Sequence, residues 1–244
     1  IILTGNNTLT GTLNIDTFVR VGGVGGNSID LSAGPSGDLG NASVVINDNS
    51  GAGRLTFSRN DSHTVANTLS GTGDVHVGAS GISGSSDQVL TLTGTNTYTG
   101  DTFVNTGALY IDGDMGSATG AVAVNTGATL GGSGTVGGFT TITGTHTPGN
   151  SPGVQAFSNG LTYDAASTLI WELTTNTLGT AGTDFDQILV TGGSLVIDPT
   201  ATINLTFNLD GSTVDWTDSF WDASRSWLAI DDQTAAPSSD TDVF

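Results

Sequence analysis

The chain has 244 residues, of which 37 are glycine and none is cysteine, and its 23 acidic and 4 basic residues give a net charge of −19. This charge argues against binding to nucleic acid or to anionic lipid surfaces, which need basic contacts, and the absence of cysteine excludes thiol chemistry. Apolar runs stay well short of the ~20 residues that span a membrane, and abundant Thr, Gly and Asn favour strands and turns over helices.

The chain opens on an apolar strand, Ile1, Ile2 and Leu3, which leads into the phrase LTGNNTLTG at residues 3–11. A similar phrase, LTGTNTYTG, returns at residues 92–100. Because an exposed apolar strand edge invites pairing, we expect a preceding segment or a second molecule to cover the three apolar residues. The chain also begins within its pattern and without Met, which is typical of a processed or partial chain.

The glycine-rich phrase GGVGGNSID at residues 22–30 resembles the calcium-binding nonapeptide of RTX proteins, with Asn27 where Asp is usual. Such sites need tandem copies so that adjacent coils share the ion, and this phrase occurs once. A glycine-rich corner is therefore the favoured interpretation. We predict no cofactor, and Ca²⁺ stays a candidate ion for which the Asp, Asn and Gly corners supply no complete site.

Residues 54–77 form the next predicted unit, in which apolar and polar residues alternate. A period of two sends one set of side chains inward and the other outward. We expect Leu55, Phe57, Val65 and Leu69 to point inward.

The strongest repeat lies within residues 90–138, where the phrase VNTGA occurs at 104–108 and again 20 residues later at 124–128. A period near 20 is too short for a helical hairpin and suits one coil of a β-solenoid. With strands that alternate and glycines at the corners, the sequence predicts an all-β parallel β-helix in which each coil stacks on the last.

Stacked copies of this phrase would place Asn105 and Asn125 one strand spacing, ~4.8 Å, apart. Stacked Asn side chains form hydrogen-bonded ladders in other stacked-strand structures. Alternatively, each Asn only tolerates a left-handed turn conformation before Gly107 or Gly127. Neither interpretation implies chemistry on a substrate.

Several phrases together resemble the autotransporter-associated β-strand repeat of bacterial autotransporter passengers and related surface proteins. The core of the resemblance is SGTG at residues 70–73 and LTLTGTNTYTG at 90–100, followed by Thr102, Val104, Gly107 and Leu109. The phrases GGSG at 131–134, PGNSPG at 148–153 and FDQILV at 185–190 are similar to the segments that follow this repeat.

The resemblance covers roughly residues 54–197, and more loosely 1–23. It implies a right-handed parallel β-helix, export and a surface role, and it brings no catalytic residues. Asp101 stands where the family usually has Gly, which we expect to change one corner only. The outer-membrane barrel of a true autotransporter does not occur in this sequence.

The composition changes after residue 209, where three of the four tryptophans, Trp216, Trp221 and Trp227, gather with Phe220. A solenoid needs a cap over its last coil, so we predict a solenoid at 1–209, with its repeat-rich core at about 54–197, and an aromatic C-terminal cap or assembly segment with a loose tail at 210–244. The alternative is an adhesive surface for sugar rings or another subunit.

Candidate catalytic groups are few. Asp184 and Asp186 lie two apart and would share one face of a strand, as a glycosidase pair could, but a turn and strand start explains them better. His63, His76 and His146 share no metal-ligand spacing. We therefore predict no catalytic residue and no metal site.

These observations predict a non-enzymatic, secreted or cell-surface bacterial protein that serves as an adhesin stalk or a self-assembling fibre subunit. We expect end-to-end self-association, host or matrix glycans as further partners, no nucleic acid and no membrane insertion. The alternatives are a polysaccharide hydrolase or lyase on a β-helix, and a glycan-binding module that uses the C-terminal tryptophans.

Overall fold

The computed structural model describes residues 2–3, 8–16, 18–21, 39–48, 53–78, 88–207 and 213–234. Within these ranges the chain is all-β, as predicted, and its one helical element is a short 3₁₀ turn at Ser219–Asp222. The strands in chain order are β1 (Ile2–Leu3), β2 (Thr12–Ile15), β3 (Phe18–Val21), β4 (Ser43–Ile46), β5 (Arg54–Phe57), β6 (Ser62–Val65), β7 (Leu69–Gly71), β8 (Asp74–Val77), β9 (Val89–Leu92), β10 (Thr102–Val104), β11 (Gly107–Ile111), β12 (Asp114–Met115), β13 (Val122–Val124), β14 (Ala128–Gly132), β15 (Thr135–Val136), β16 (Thr140–Ile142), β17 (Thr145–Pro148), β18 (Val154–Phe157), β19 (Leu161–Tyr163), β20 (Thr168–Glu172), β21 (Gln187–Val190), β22 (Leu195–Ile197), β23 (Thr202–Thr206) and β24 (Ile230–Asp232).

The described strands form parallel sheets on three sides of the molecule. The first sheet runs β1-β3-β5-β8-β10-β13-β16-β19-β22, the second runs β6-β9-β11-β14-β17-β20-β23, and the third side holds β2-β4-β7 and β12-β15-β18-β21-β24. Residues 96–99 link the two halves of the third side, because Thr97 donates its N–H to Leu69 O and Asn96 donates to Asp114 O, each at 2.8 Å.

From β5 onward the described chain visits the three sides in a fixed order, and each circuit, which we call a coil, adds one strand to the first sheet. The first two coils, which begin with β1 and β3, each add one strand to the same sheet. The nine strands of that sheet therefore mark nine coils within the described residues. This arrangement is consistent with a β-solenoid. We name β1 to β2 the first coil, β19 to β21 the penultimate coil, and β22 to β24 the last coil.

Stacking in register places like residues above one another. Val124 pairs with Val104, 20 residues earlier, and Leu130 pairs with Leu109. Alternate residues of each strand point inward, so the apolar rows of successive coils merge into one core. The predicted inward residues of the early unit, Leu55, Phe57, Val65 and Leu69, are all buried in it.

Glycines form a column at one corner, where the backbone of one coil lies directly against the next. A methyl group added at Gly120 would lie 1.8 Å from Gly100 O, and one added at Gly138 would lie 1.7 Å from Gly120 O. The same close approach joins Gly100 to Gly73 and Gly73 to Gly53. Only glycine allows this spacing, which explains the recurrent corner glycines of the sequence.

The last two coils are longer because each contains an excursion between its second and third strands. Residues 173–186 leave the penultimate coil, the described residues 207 and 213–229 lie outside the strands of the last coil, and each time the chain then returns to the third side. The second return forms β24, whose residues Ile230 and Asp232 pair with Ile188 and Val190 of β21. The segment predicted as a cap or assembly segment, residues 210–244, thus contributes Ile230–Asp232 to the stacked sheets.

Candidate functional site

A cavity of about 390 Å³ opens on the outer face of the second sheet, beside the loop that follows β17. Tyr110, Thr147 and Ile170 line it from three strands of the sheet, and the loop at residues 148–151 forms another wall. The carboxyl groups of Glu172 and Asp186 lie at its base, and both residues are only 3% exposed. We call this cavity the carboxylate pocket.

Hydrogen bonds hold the two acids in place. Ser151 Oγ donates to Glu172 Oε2 at 2.7 Å, and Asp186 accepts from the backbone N–H groups of Gly153 (2.9 Å) and Glu172 (3.0 Å). The indole N–H of Trp171 donates to the Asp186 carbonyl at 2.6 Å. Asp186 thus ties the end of β20 to the start of β18, and the two carboxyl groups are fixed in one location.

Burial, and to a lesser extent the nearby charge of Glu172, raise the pKa of Asp186 from 3.8 to about 7, although the backbone N–H groups of Gly153 and Glu172 oppose the change. Asp186 therefore exchanges its proton close to neutral pH. A carboxyl group of this kind in an open pocket has the property that general acid catalysis requires.

The structure does not pair the two acids that the sequence suggested for an enzyme. Asp184 lies in the excursion and its Oδ2 accepts from Thr180 N–H at 2.7 Å, whereas Asp186 is buried beside Glu172. Sequence spacing missed this pair because the excursion returns Asp186 to the end of β20 from 14 residues away. The one sequence feature that could have indicated this pair is that Glu172 is the sole Glu of the chain.

The predicted aromatic residues gather around the excursions in what we call the aromatic corner. Trp227 is buried against Trp171 with ring centroids 5.9 Å apart, and Phe220 and Trp221 pack on it half-buried. Trp216 stacks on Trp221 at 4.6 Å and is 53% exposed. These residues come together at a side corner of the last two coils, and Ile197 and Leu205 of the last coil are exposed.

The two repeated asparagines are in contact. Asn125 Nδ2 donates to Asn105 Oδ1 at 3.1 Å, and Asn105 Nδ2 in turn donates to Gly78 O at 3.3 Å. The column is exposed, so it joins successive coils along the surface and forms no pocket.

The predicted N-terminal assembly residues are only partly described. Ile2 and Leu3 form β1, which pairs with Arg20 and Val21 of β3 at the edge of the first sheet. Ile1 and the glycine-rich phrase at residues 22–30 lie outside the described residues.

The core contains a polar group that the sequence analysis did not predict. His146 is fully buried on β17, where its Nδ1 contacts Tyr163 Oη and its Nε2 lies 2.7 Å from Gln155 Oε1. Burial lowers the pKa of His146 from 6.5 to about 4, so the ring is neutral inside the folded protein at neutral pH. It occupies an inward position between Leu130 and Leu169, where the pattern alone predicts an apolar residue.

Neither a metal centre among the described residues nor a match to a known protein assigns a function to the chain. Across the described part of the chain, no three His, Asp or Glu side chains gather in a way that could hold a metal ion. The same residues include no helix long and apolar enough to cross a membrane. No protein-family model matches the chain, and no characterised protein matches it in sequence.

Proposed function

We propose that the protein is a secreted or cell-surface structural protein whose coils form a right-handed parallel β-helix, and that the shaft itself is the functional product. One observation carries this proposal: each of nine coils adds one strand to the same parallel sheet, in order and in register. At about 4.8 Å a coil, nine coils give a shaft of about 43 Å.

Composition and resemblance support an extracellular setting. A net charge of −19 keeps copies of a protein soluble and apart at low salt. The phrases at residues 70–73 and 90–109 resemble the autotransporter-associated repeat, and β7, β9, β10 and β11 overlap these phrases. The family's role as a surface stalk or adhesin is the role that we assign here.

Small-angle scattering and electron microscopy test the shaft. We expect an elongated particle with an axial length of about 43 Å for the stacked part. Treatment of intact expressing cells with protease tests the location, because a surface protein is cleaved while a cytoplasmic marker stays whole. A compact sphere, or protection equal to that of the marker, would contradict the proposal.

The carboxylate pocket favours a second candidate, glycoside hydrolysis. Asp186 holds a proton near neutral pH beside Glu172, and glycosidases use two carboxyl groups on opposite sides of the scissile bond. Polysaccharides assayed with wild type, Glu172→Gln and Asp186→Asn test this function, with Asp184→Asn as the matched control. We expect losses of about 100-fold or more in the first two variants and none in the control.

The interaction between the two acids of the carboxylate pocket can also be tested without a substrate. Because the charge of Glu172 raises the pKa of Asp186, Glu172→Gln should lower that pKa, as followed by carbon NMR of the side-chain carboxyl group. Absence of turnover in the wild type on every polysaccharide tested would remove the hydrolase candidate, whatever the NMR result.

The exposed ring of Trp216 favours a third candidate, glycan binding. Its stacking on Trp221 supports a flat apolar surface suited to sugar rings. Trp216→Ala should abolish binding on a glycan array, and Val196→Ala, on another exposed apolar residue, should not. Binding that survives in Trp216→Ala would exclude this surface.

A further inference from the structure

One wall of the carboxylate pocket is built by the register of the second sheet. Tyr110, Gly131 and Thr147 lie side by side on the successive strands β11, β14 and β17. A methyl group added at Gly131 would lie 2.7 Å from both Tyr110 Cε1 and Thr147 Oγ1. Because Gly131 has no side chain, the Tyr110 ring and the Thr147 hydroxyl approach each other across β14. Ile170 of β20 continues this wall, which is largely apolar.

Two oxygen atoms of the pocket have no hydrogen-bond partner among the described residues. Glu172 is 3% exposed and its Oε2 accepts from Ser151, but no described residue donates to its Oε1. Thr147 Oγ1 is buried and makes no hydrogen bond within the described part of the chain. Asp186 differs, because a backbone N–H group bonds each of its carboxyl oxygens. A buried polar atom without a partner is unfavourable, so Glu172 Oε1 and Thr147 Oγ1 are positions at which a ligand gains hydrogen bonds.

The pocket also lacks a positive charge to match its carboxylate. Among the described residues that line it, none is Arg or His, and the chain contains no lysine. A buried carboxylate is stabilised by a paired cation, and a net charge of −19 attracts cations toward the protein. The missing charge must therefore come from a ligand, and that ligand is a cation.

The shape and the available oxygens favour an ammonium group over a metal ion. Ca²⁺ takes about six to eight oxygen ligands, whereas no three His, Asp or Glu side chains gather here or elsewhere in the described chain. A primary ammonium group has three N–H donors, and its alkyl stem suits the apolar surfaces of Tyr110, Pro148 and Ile170. A cavity of about 390 Å³ is near the lower limit for ligand pockets, which suits one small group.

We propose that the carboxylate pocket binds a primary ammonium group on an alkyl stem, the chemistry shared by lysine side chains of other proteins and by free aliphatic amines. Glu172 Oε1 accepts one N–H of the ammonium group, Thr147 Oγ1 accepts a second, and the stem lies along Tyr110 and Ile170. Binding of this kind needs no turnover and is separate from glycoside hydrolysis. It adds an attachment point to the side of the shaft.

Titration with n-butylamine hydrochloride, followed by NMR of the backbone amides, tests the class of ligand. We expect saturable shifts at Ser151, Gly153 and Glu172. The matched probe n-butanol has the same stem without a charge and should give no saturable shift, and calcium chloride forms a third arm. Absence of saturable shifts with the amine, or saturation by n-butanol or Ca²⁺ at the same residues with equal affinity, would overturn the proposal.

Substitutions identify the contacts. Glu172→Gln removes the charge at nearly constant size and should weaken butylamine binding more than about tenfold. Asp184→Asn is its matched control, because this acid lies in the excursion and outside the pocket lining. Thr147→Val should weaken binding about fivefold, and Thr145→Val, on the same face of β17 but outside the lining, should not.

Circular dichroism checks the folding of each variant. Equal affinities in Glu172→Gln and Asp184→Asn would overturn the proposal. If Glu172→Gln does not fold, the two threonine variants decide, and equal affinities in that pair would overturn it.

The pKa of Asp186 reports the bound charge without any substitution. Burial and the charge of Glu172 raise this pKa to about 7, and Glu172 and Tyr110 are the other titratable groups among the described residues of the lining. A cation beside Glu172 stabilises the ionised form of Asp186. Saturating butylamine should therefore lower the pKa of Asp186, as followed by carbon NMR of its carboxyl group, and an unchanged pKa would contradict an ammonium group at this position.

A blocked tripeptide with one central lysine distinguishes the two sources of the ammonium group. Tighter binding of this peptide than of butylamine, lost when the lysine is acetylated and its charge removed, would identify a partner protein as the source. Equal or weaker binding would identify a free amine, and both results support the ammonium site. Polysaccharides that are not cleaved would remove the hydrolase candidate and leave this site in place, whereas cleavage without amine binding would do the reverse.

Discussion

The penultimate and last coils carry similar inward residues in very different surroundings. Leu169 of β20 is 2% exposed and its register partner in β23, Ile203, is only half-buried. The two side chains face the same core and differ in that one has a coil above it. Burial in this molecule is therefore supplied by the neighbouring coil, and each coil stabilises the one beneath it.

The comparison gives the largest expected effect on stability. Leu169→Ala should lower the free energy of unfolding by about 3 kcal/mol, because it leaves a cavity between two coils. Ile203→Ala should cost only about 1 kcal/mol, because its site is already open to water. Urea denaturation of both variants measures the difference, and equal losses would show that the last coil is covered in solution.

The glycine column allows the contact between neighbouring coils to be tested at the backbone. Gly120→Ala should cost about 2 kcal/mol, since its methyl group would overlap Gly100 O and force two coils apart. Gly116→Ala is the control, because its nearest neighbour is the movable Asp114 carboxylate at 3.0 Å. Comparing the thermal unfolding of the two variants separates the destabilisation caused by overlap between coils from the general effect of replacing glycine by alanine.

A pH series tests the buried polar group of the interior. The pKa of His146 is lowered to about 4, so its contribution to stability is full above 6.5 and is lost as the pH falls toward 4. Asp186 acts in the opposite sense, since its pKa is raised to about 7 and its contribution is full below 3.8 and lost as the pH rises through 7.

The contribution of Asp186 to the pH dependence of stability is removed by subtracting the free energy of unfolding of His146→Gln from that of the wild type, because both proteins contain Asp186. The stability of wild type minus that of the variant should rise by about 2 kcal/mol between pH 4 and 6.5. Urea denaturation at these two pH values gives the difference. A pH-independent difference would contradict the lowered pKa. Asp198→Asn, in the last coil, should produce a much smaller change.

The smallest effect is expected at the surface. The hydrogen bond from Asn125 to Asn105 joins two interior coils in water, so Asn125→Ala should cost about 0.5 kcal/mol. A double-mutant cycle with Asn105→Ala isolates the interaction between the two side chains. A coupling energy near zero would show that the two side chains lie in register without stabilising the stacking of the coils.

Local patterns predicted much of the architecture. Alternation of apolar residues gave the inward set Leu55, Phe57, Val65 and Leu69, and the repeat of 20 residues gave the stacking of Val124 on Val104. Both follow from rules that act within one coil or between adjacent coils. All-β structure and parallel sheets could thus be expected before any coordinates.

Features that depend on long excursions of the chain could not be predicted from the sequence. Asp186 meets Glu172 only because residues 173–186 leave and return at one corner, and no spacing rule specifies that path. The pairing of β24 with β21 was not predicted because the Trp-rich segment hides the short return of the chain to the third side. His146 was missed because its polarity is balanced by partners on β18 and β19.

The open last coil has a mechanical consequence. Tension along the shaft acts on a single continuous chain, and a coil with one described neighbour resists peeling less than a coil between two others. Within the described residues, unravelling under force would therefore begin at an end coil, such as β22 to β24, and proceed one coil at a time. Such a molecule yields in small steps from its end, and its middle coils keep their length until the outer ones are gone.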